Sequence, residues 1–226
     1  GSICANCMWL KGGVMKAHYN GLIPRNPFIQ FHISPNVKER EYLTEDELKA
    51  VMTHEFADSK LAYIRDIFIF ASFTVLSFVD IQELTNDNIV EVNGEKWILS
   101  KRHKTKVAFQ VKLLDIPLQI VERYRPMQKD NRIFPGLNYW SICKPLKRMI
   151  RECGITKSIS FHCSRHGFAT LALSKGMPIE SVSRVLGHTN IVTTQLYAKI
   201  TTQKLDNDLT MFGDKLSKTF NGITMS

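Results

Sequence analysis

The hydrophobic period of this chain leaves helical spacing in only one place. Asn88–Asn93, Glu95–Ser100 and Val107–Leu114 are dense in Val, Ile, Trp and Phe, and they are separated by Gly94 and by the basic run Lys101-Arg-His-Lys-Thr-Lys106. β-Branched and aromatic residues suit a half-buried pleated surface, so this block predicts a three-stranded antiparallel sheet with a charged turn. The fold class is therefore mainly α with one small antiparallel three-stranded sheet, an α+β arrangement.

Helices account for the rest. Ile3, Cys7, Leu10, Val14 and Ala17 recur at helical spacing before the stop signal Asn20-Gly21, which predicts one helix in spite of Gly12-Gly13. Pro24-Arg-Asn-Pro27 and the stretch to Pro35 read as a linker, with a boundary near residues 35–40. Thr44-Glu-Asp-Glu47 is a capping box, in which hydroxyl and carboxylate each satisfy a free backbone N–H, so a helix should run from there to about Phe56. The apolar run 61–79 predicts a buried helix, and 81–84 a short helical piece after it. Further helices are expected at 117–125, 138–152, 162–175, 178–186 (with Pro178 in its first turn), 190–197 and 203–217.

Composition narrows the partner. Of 226 residues, 44% are hydrophobic and 23% charged, enough for a real core, and 30 Lys+Arg against 21 Asp+Glu leave a net charge of +9. That balance favours a polyanion: nucleic acid first, an anionic membrane second. With no apolar run long enough to span a bilayer and no signal peptide, the expectation is a soluble, intracellular protein. Five cysteines are an odd, scattered set and read as reduced thiols; Cys4 and Cys7 form a C-x-x-C, but without a second Cys or His pair the plainer reading is one helix face, and no metal or other cofactor is expected. Gly1-Ser2 reads as the scar of an expression tag.

The residues with chemical potential cluster late in the chain. In Phe161-His-Cys-Ser-Arg-His-Gly167, His162, Arg165 and His166 fall at i, i+3 and i+4 and share one helix face, a planar guanidinium flanked by imidazoles that suits phosphate oxygens. Leu186-Gly-His188 follows, and Tyr197 stands nine residues after His188. On Lys144, Lys147, Arg148 and Arg151 a second basic face lines one side of a helix; it fits a DNA backbone and equally a solvated surface. Lys101 and Lys106 on the basic turn stand in the same position.

Taken together, H-C-S-R-H-G-F-A-T, then L-G-H, then Tyr197, with Lys104 on the upstream basic turn, resembles the tyrosine recombinase (phage-integrase) family over about residues 40–200, most closely over 161–199. The resemblance implies a catalytic-domain fold over 39–226, preceded in 1–38 by the tag scar, the last helix of a core DNA-binding domain and a linker, the whole being a piece of a longer enzyme. It implies cleavage and rejoining of DNA through a 3′-phosphotyrosyl link on Tyr197, without metal or ATP. Arg165 would hold non-bridging oxygens, His162 and His188 would donate to the phosphate or shuttle the tyrosine proton, and Lys104 would protonate the departing 5′ oxygen. His166 would buttress rather than react. Partners implied are double-stranded DNA, a homo-tetramer on two sites when full length, and accessory DNA-bending or directionality proteins, with an integrase of a conjugative transposon or similar mobile element as the nearest kind.

One position departs from that pattern. Where the family reads T-G-L-R with an acid three residues on, this chain reads Thr74-Val-Leu-Ser77 with Asp80 in the acid's place. A hydroxyl offers one neutral hydrogen bond where a guanidinium offers two charge-assisted ones. Arg102, two residues before Lys104, is the candidate to fill in. Ser77 also keeps open a non-catalytic DNA-binding relative; a type IB topoisomerase-like enzyme is a second rival, and a metal-dependent nuclease, which would need a carboxylate cluster, is the weakest.

Overall fold

The computed structural model describes residues 2–32, 41–103, 106–128, 130–188, 190–198 and 202–219. Two compact units divide it, residues 1–40 and residues 41–226. In the first, α1 (Ser2–Tyr19) stops where Asn20-Gly21 stands, Gly21 taking a φ of 71° that few side chains tolerate. Lys11 Nζ donates to the carbonyl of Phe31 at 2.8 Å within the same unit.

The second unit opens with the reciprocal cap expected from its sequence. Thr44 Oγ1 accepts the Glu47 N–H at 3.3 Å while the Glu47 carboxylate accepts the Thr44 N–H at 2.7 Å, starting α2 (Glu45–Thr53), which ends three residues short of Phe56. Next comes α3 (Ser59–Thr74), capped by the Asp58 side chain on the Lys60 N–H. Leu61, Ile64, Ile67, Phe68, Ile69, Phe70 and Ala71 are all buried, so the helix is apolar nearly all round and must be surrounded. α5 (Asp115–Tyr124), α6 (Tyr139–Glu152) and α7 (Cys163–Ser174) pack against it. Asp66 is buried in its middle, and its carboxylate accepts Arg65 Nε at 2.8 Å, Arg123 Nη1 at 2.7 Å and Tyr124 OH at 2.8 Å.

The expected single helix over 61–79 is two elements. α3 ends at Thr74 because Val75 turns left-handed (φ 61°, ψ 14°), and Ser77 then caps α4 (Phe78–Gln82) by a box with Asp80. Val75, Leu76, Phe78 and Val79 carry the apolar run across the break, and the local mark of it is the capping pair Ser77 and Asp80.

β1 (Ile89–Val92), β2 (Glu95–Lys101) and β3 (Ala108–Lys112) form the expected antiparallel sheet in the order β1-β2-β3. Ile98 pairs with Ile89 on one side and Val111 on the other, which fixes the register. After α7, α8 (Ile179–Leu186) begins one residue later than expected, Pro178 standing at its N-cap instead of its first turn. The helix expected over 190–197 is shorter: α9 covers Val192–Gln195, and Tyr197 lies beyond its end. α10 (Thr202–Thr219) follows, its Leu205, Leu209, Phe212 and Leu216 exposed. Val75, Ala169, Ala172, Leu173, Val182 and Leu186 make a small apolar cluster apart from the main core, with Tyr197 packed against it.

Because α3 carries Val75 at its end, Asp66 anchors the element from which the site is hung. Replacing Asp66 by Ala leaves the half-buried Arg65 guanidinium without its counter-charge and should cost about 3 kcal/mol, read as a lower denaturation midpoint at unchanged denaturant slope.

Candidate active site

α7 delivers the first group. His162 stands at its N-cap and is exposed, Arg165 is half-buried one turn on, and His166 is buried; the two imidazole rings lie 4.7 Å apart and nearly perpendicular at 88°. Arg165 donates through Nη1 to the carbonyl of Val75 at 3.3 Å and through Nη2 to the carbonyl of Leu186. Those carbonyls belong to the C-terminal ends of α3 and α8, where the last oxygens have no partner within the helix and the macrodipole is negative. Burial first, and then neighbouring Arg102, lower the Arg165 pKa to about 10, with Tyr197 and Asp80 acting in the opposite direction.

Arg102 arrives from the sheet. Along β2 the inward side alternates Ile98, Ser100 and then Arg102, so the pleat carries a guanidinium into the interior while Lys101 and His103 stay exposed. The main chain closes the turn there, the Arg102 N–H donating to Val107 O at 2.8 Å. Its Nη1 donates to Asp80 Oδ2 at 3.1 Å and to Val75 O at 3.2 Å, its Nη2 to Val185 O at 3.1 Å, and its Cζ lies 4.4 Å from the centre of the Phe109 ring. Nε is buried and has no hydrogen-bond partner among the described residues. A Cβ on Gly187, which holds a φ of 65°, would stand 3.6 Å from that nitrogen.

Asp80 organises this arginine. Burial works to raise its pKa, but the His103 N–H at 2.9 Å, the Ser77 hydroxyl at 2.7 Å and Arg102 outweigh it and hold the carboxyl below its ordinary value. Ser77 thus directs its hydroxyl at Asp80 and caps α4.

His188 follows Gly187 at the end of α8, its Nδ1 2.8 Å from Thr194 Oγ1. Burial, then the charges of Arg165, Arg102 and His162, depress its pKa and favour the neutral ring. The Tyr197 ring lies 5.2 Å from that of His166, tilted by 47°. The sequence candidates Arg165, His162, His166, His188, Tyr197, Arg102, Asp80 and Ser77 therefore meet in one place, formed by the ends of α3, β2, α7, α8 and α9.

The phage integrase family model matches residues 41–204, most of the chain and all of this cluster. The chain belongs to the phage integrase family. Tyrosine recombinase XerA of Pyrococcus horikoshii is 32% identical over 177 residues, 72% of this chain and 58% of that protein. Tyrosine recombinase XerD of Listeria monocytogenes is 38% identical over 86 residues, 36% of this chain and 29% of that protein. The chain spans little more than half the length of the first of these. Among solved structures, the Tn1549 transposon integrase in complex with transposon right end DNA shares the fold at a TM-score of 0.72 with 16% identity, covering 90% of this chain and 77% of that one. A lambda integrase dimer bound to a COC′ core site does so at 0.64 with 19% identity, covering 83% and 69%. At these identities the likeness is one of fold, here mainly helical with one small antiparallel sheet.

Other expected residues of this integrase-family chain lie elsewhere or outside view. Lys104 is outside the described residues. Lys101 and Lys106 flank the turn and are exposed. Lys144, Lys147, Arg148 and Arg151 project into solvent from α6, Arg148 being engaged by Asp58 at 3.2 Å and Glu152 at 3.7 Å. All five cysteines are free thiols, and no group of three or more metal-ligating side chains occurs among the described residues. No described helix is long and apolar enough to cross a membrane. Sequence reasoning missed Val75, whose carbonyl holds both arginines; the one available signal was that it stands where the family pattern has glycine. It also missed Thr194, a buried hydroxyl three residues before Tyr197.

Asp80 has a pH signature. Since its folded pKa lies below the ordinary 3.8, its contribution to stability is complete above that pH and is lost as pH falls through the lower folded value. The stability gap between the wild type and Asp80→Asn, from denaturation at a series of pH values, should therefore be constant near neutrality and shrink below pH 3.8.

Proposed function

We propose that this chain contains the catalytic domain of a site-specific DNA recombinase that cuts and rejoins strands through a covalent link to Tyr197. Residues 39–226 form that domain, and residues 1–38 end a preceding DNA-binding domain and its linker. The phenolic oxygen of Tyr197 attacks the phosphorus, the bond to the 5′ oxygen breaks, and a 3′-phosphotyrosyl ester forms with a free 5′-hydroxyl. Lys104 supplies the proton to the departing oxygen, and His188 or His162 takes the one from the phenol. One ester replaces another, so rejoining to a different strand needs no ATP. The charge developing on the phosphate is met by Arg165, Arg102 and the N–H groups of His162 and His188, which leaves no step requiring a metal.

The observation that carries this reading is the placement of Arg102. Ser77 alone favours a non-catalytic DNA-binding relative, since the family's arginine is missing there. Yet a second guanidinium stands beside Arg165, brought by the sheet, with one buried Nε–H that has no hydrogen-bond partner among the described residues. Leaving a buried donor unpaired costs about 1–3 kcal/mol, a cost that packing alone does not explain. Arg102 is thus the substitute for the absent arginine, and Asp80 with Ser77 holds it in place. The exposed cations of the turn and of α6 would add salt-sensitive contacts to the DNA backbone. The complete protein would act as a tetramer on two duplex sites, with the exposed apolar side of α10 available to a neighbouring subunit.

A pool of nicked duplexes of randomised sequence, scored for covalent adduct on denaturing gels, tests the reading without a known target. Wild type should form adducts equally well with and without chelator, and Tyr197→Phe none. Arg102→Ala should fold, bind DNA and lose about 10²- to 10³-fold in adduct formation. DNA binding without any adduct would establish the non-catalytic relative, and adducts without exchange between two sites would favour a topoisomerase-like enzyme.

A further inference from the structure

α9 buries a single side chain, and that side chain is polar. Ile191, Val192, Thr193, Gln195 and Leu196 are all exposed, whereas Thr194 is 0% exposed. Were packing its whole task, an apolar residue would serve better, because a buried hydroxyl costs free energy unless it is hydrogen-bonded. Its Oγ1 meets His188 Nδ1 at 2.8 Å. Its main-chain carbonyl accepts the Tyr197 N–H at 3.0 Å, and its own N–H donates to Ile191 O at 2.7 Å. One residue thus grips the imidazole with its side chain and the start of the tyrosine segment with its backbone.

The kind of partner matters. A carboxylate or carbonyl on Nδ1 would only accept, forcing the proton onto Nδ1 and leaving Nε2 a lone pair; a backbone N–H would force the opposite tautomer. A hydroxyl can do either. It donates to Nδ1 when Nε2 carries the proton, and it accepts from Nδ1 when Nε2 is bare or when the ring has taken a second proton. Covalent cleavage and resealing ask for both states at one place, an N–H toward a phosphate oxygen and a lone pair toward a phenol.

We infer that Thr194 is a positioning residue: its hydroxyl holds the His188 ring in one plane while allowing either neutral tautomer, so that Nε2 serves as donor or acceptor without the ring moving. This rests on the recombinase reading and goes beyond it by giving the reaction a residue outside the converging cations and Tyr197.

The test uses the full chain and the nicked duplex that wild type cleaves best out of the randomised pool, following single-turnover adduct formation and, separately, DNA affinity. Thr194→Val should slow adduct formation roughly tenfold or more at unchanged affinity, and Thr194→Ser, which restores the hydroxyl and drops the methyl group, should recover most of the rate. In the double variant Thr194→Val with His188→Gln, the rate should fall no further than in His188→Gln alone, because the threonine acts through the ring. A wild-type rate in Thr194→Val, equal losses in the Val and Ser variants, or additive losses with His188→Gln would each overturn the inference while leaving the recombinase reading intact. Adduct persisting in Tyr197→Phe would instead overturn the recombinase reading itself.

Discussion

The carbonyl of Val75 receives two guanidinium groups, Nη1 of Arg102 at 3.2 Å and Nη1 of Arg165 at 3.3 Å. Two cations this close repel, and water that would screen them is largely excluded. What makes the pairing tenable is oriented polarity: the carbonyls of Val75, Val185 and Leu186, all at helix C-terminal ends, and the carboxylate of Asp80. To turn its carbonyl inward, Val75 adopts a left-handed conformation that costs a β-branched residue about 1–3 kcal/mol. Strain of that size persists only when its surroundings over-determine it, and here the buried α3, the Ser77 cap of α4 and two arginines all demand the same turn.

From that constraint the charge of the site follows. Two guanidiniums against one carboxylate leave one positive charge, and His188 adds none while it is neutral. In the recombinase reading proposed above, that positive excess, with Lys104 added to it, faces a backbone phosphate. The arginine that the family pattern places on the α3–α4 turn is replaced by a serine that binds Asp80, and a guanidinium reaches the same acid from the opposite direction, along β2. In the proposed reading, Arg102 supplies from the end of β2 the cation that the family pattern places on the α3–α4 turn.

Much of this was legible beforehand, for reasons that can be stated residue by residue. The Thr44–Glu47 box announced α2 because capping is a local contact between neighbours in sequence. His162, Arg165 and His166 announced a shared face because helical geometry fixes what lies one turn away. The break at Val75 was harder to read: the Ser77–Asp80 pair is a local cap, but the apolar run continues across it, and the left-handed turn itself answers the tertiary demand for an inward carbonyl. The shortness of α9 was hidden, since the burial of Thr194 against His188 is a relation between two elements.

The sequence by itself determined the α+β class, the three-strand sheet and the order of Arg102, Arg165, His188 and Tyr197 along the chain, because period, capping and motif spacing act over a few residues. Only the tertiary structure decided that Arg102 faces inward onto Asp80, that Val75 bends backward to serve two arginines, and that Thr194 joins imidazole to tyrosine segment. Those outcomes depend on which distant groups compete for the same buried hydrogen bonds, and that competition exists only once α3, the sheet, α7 and α8 have closed around one point.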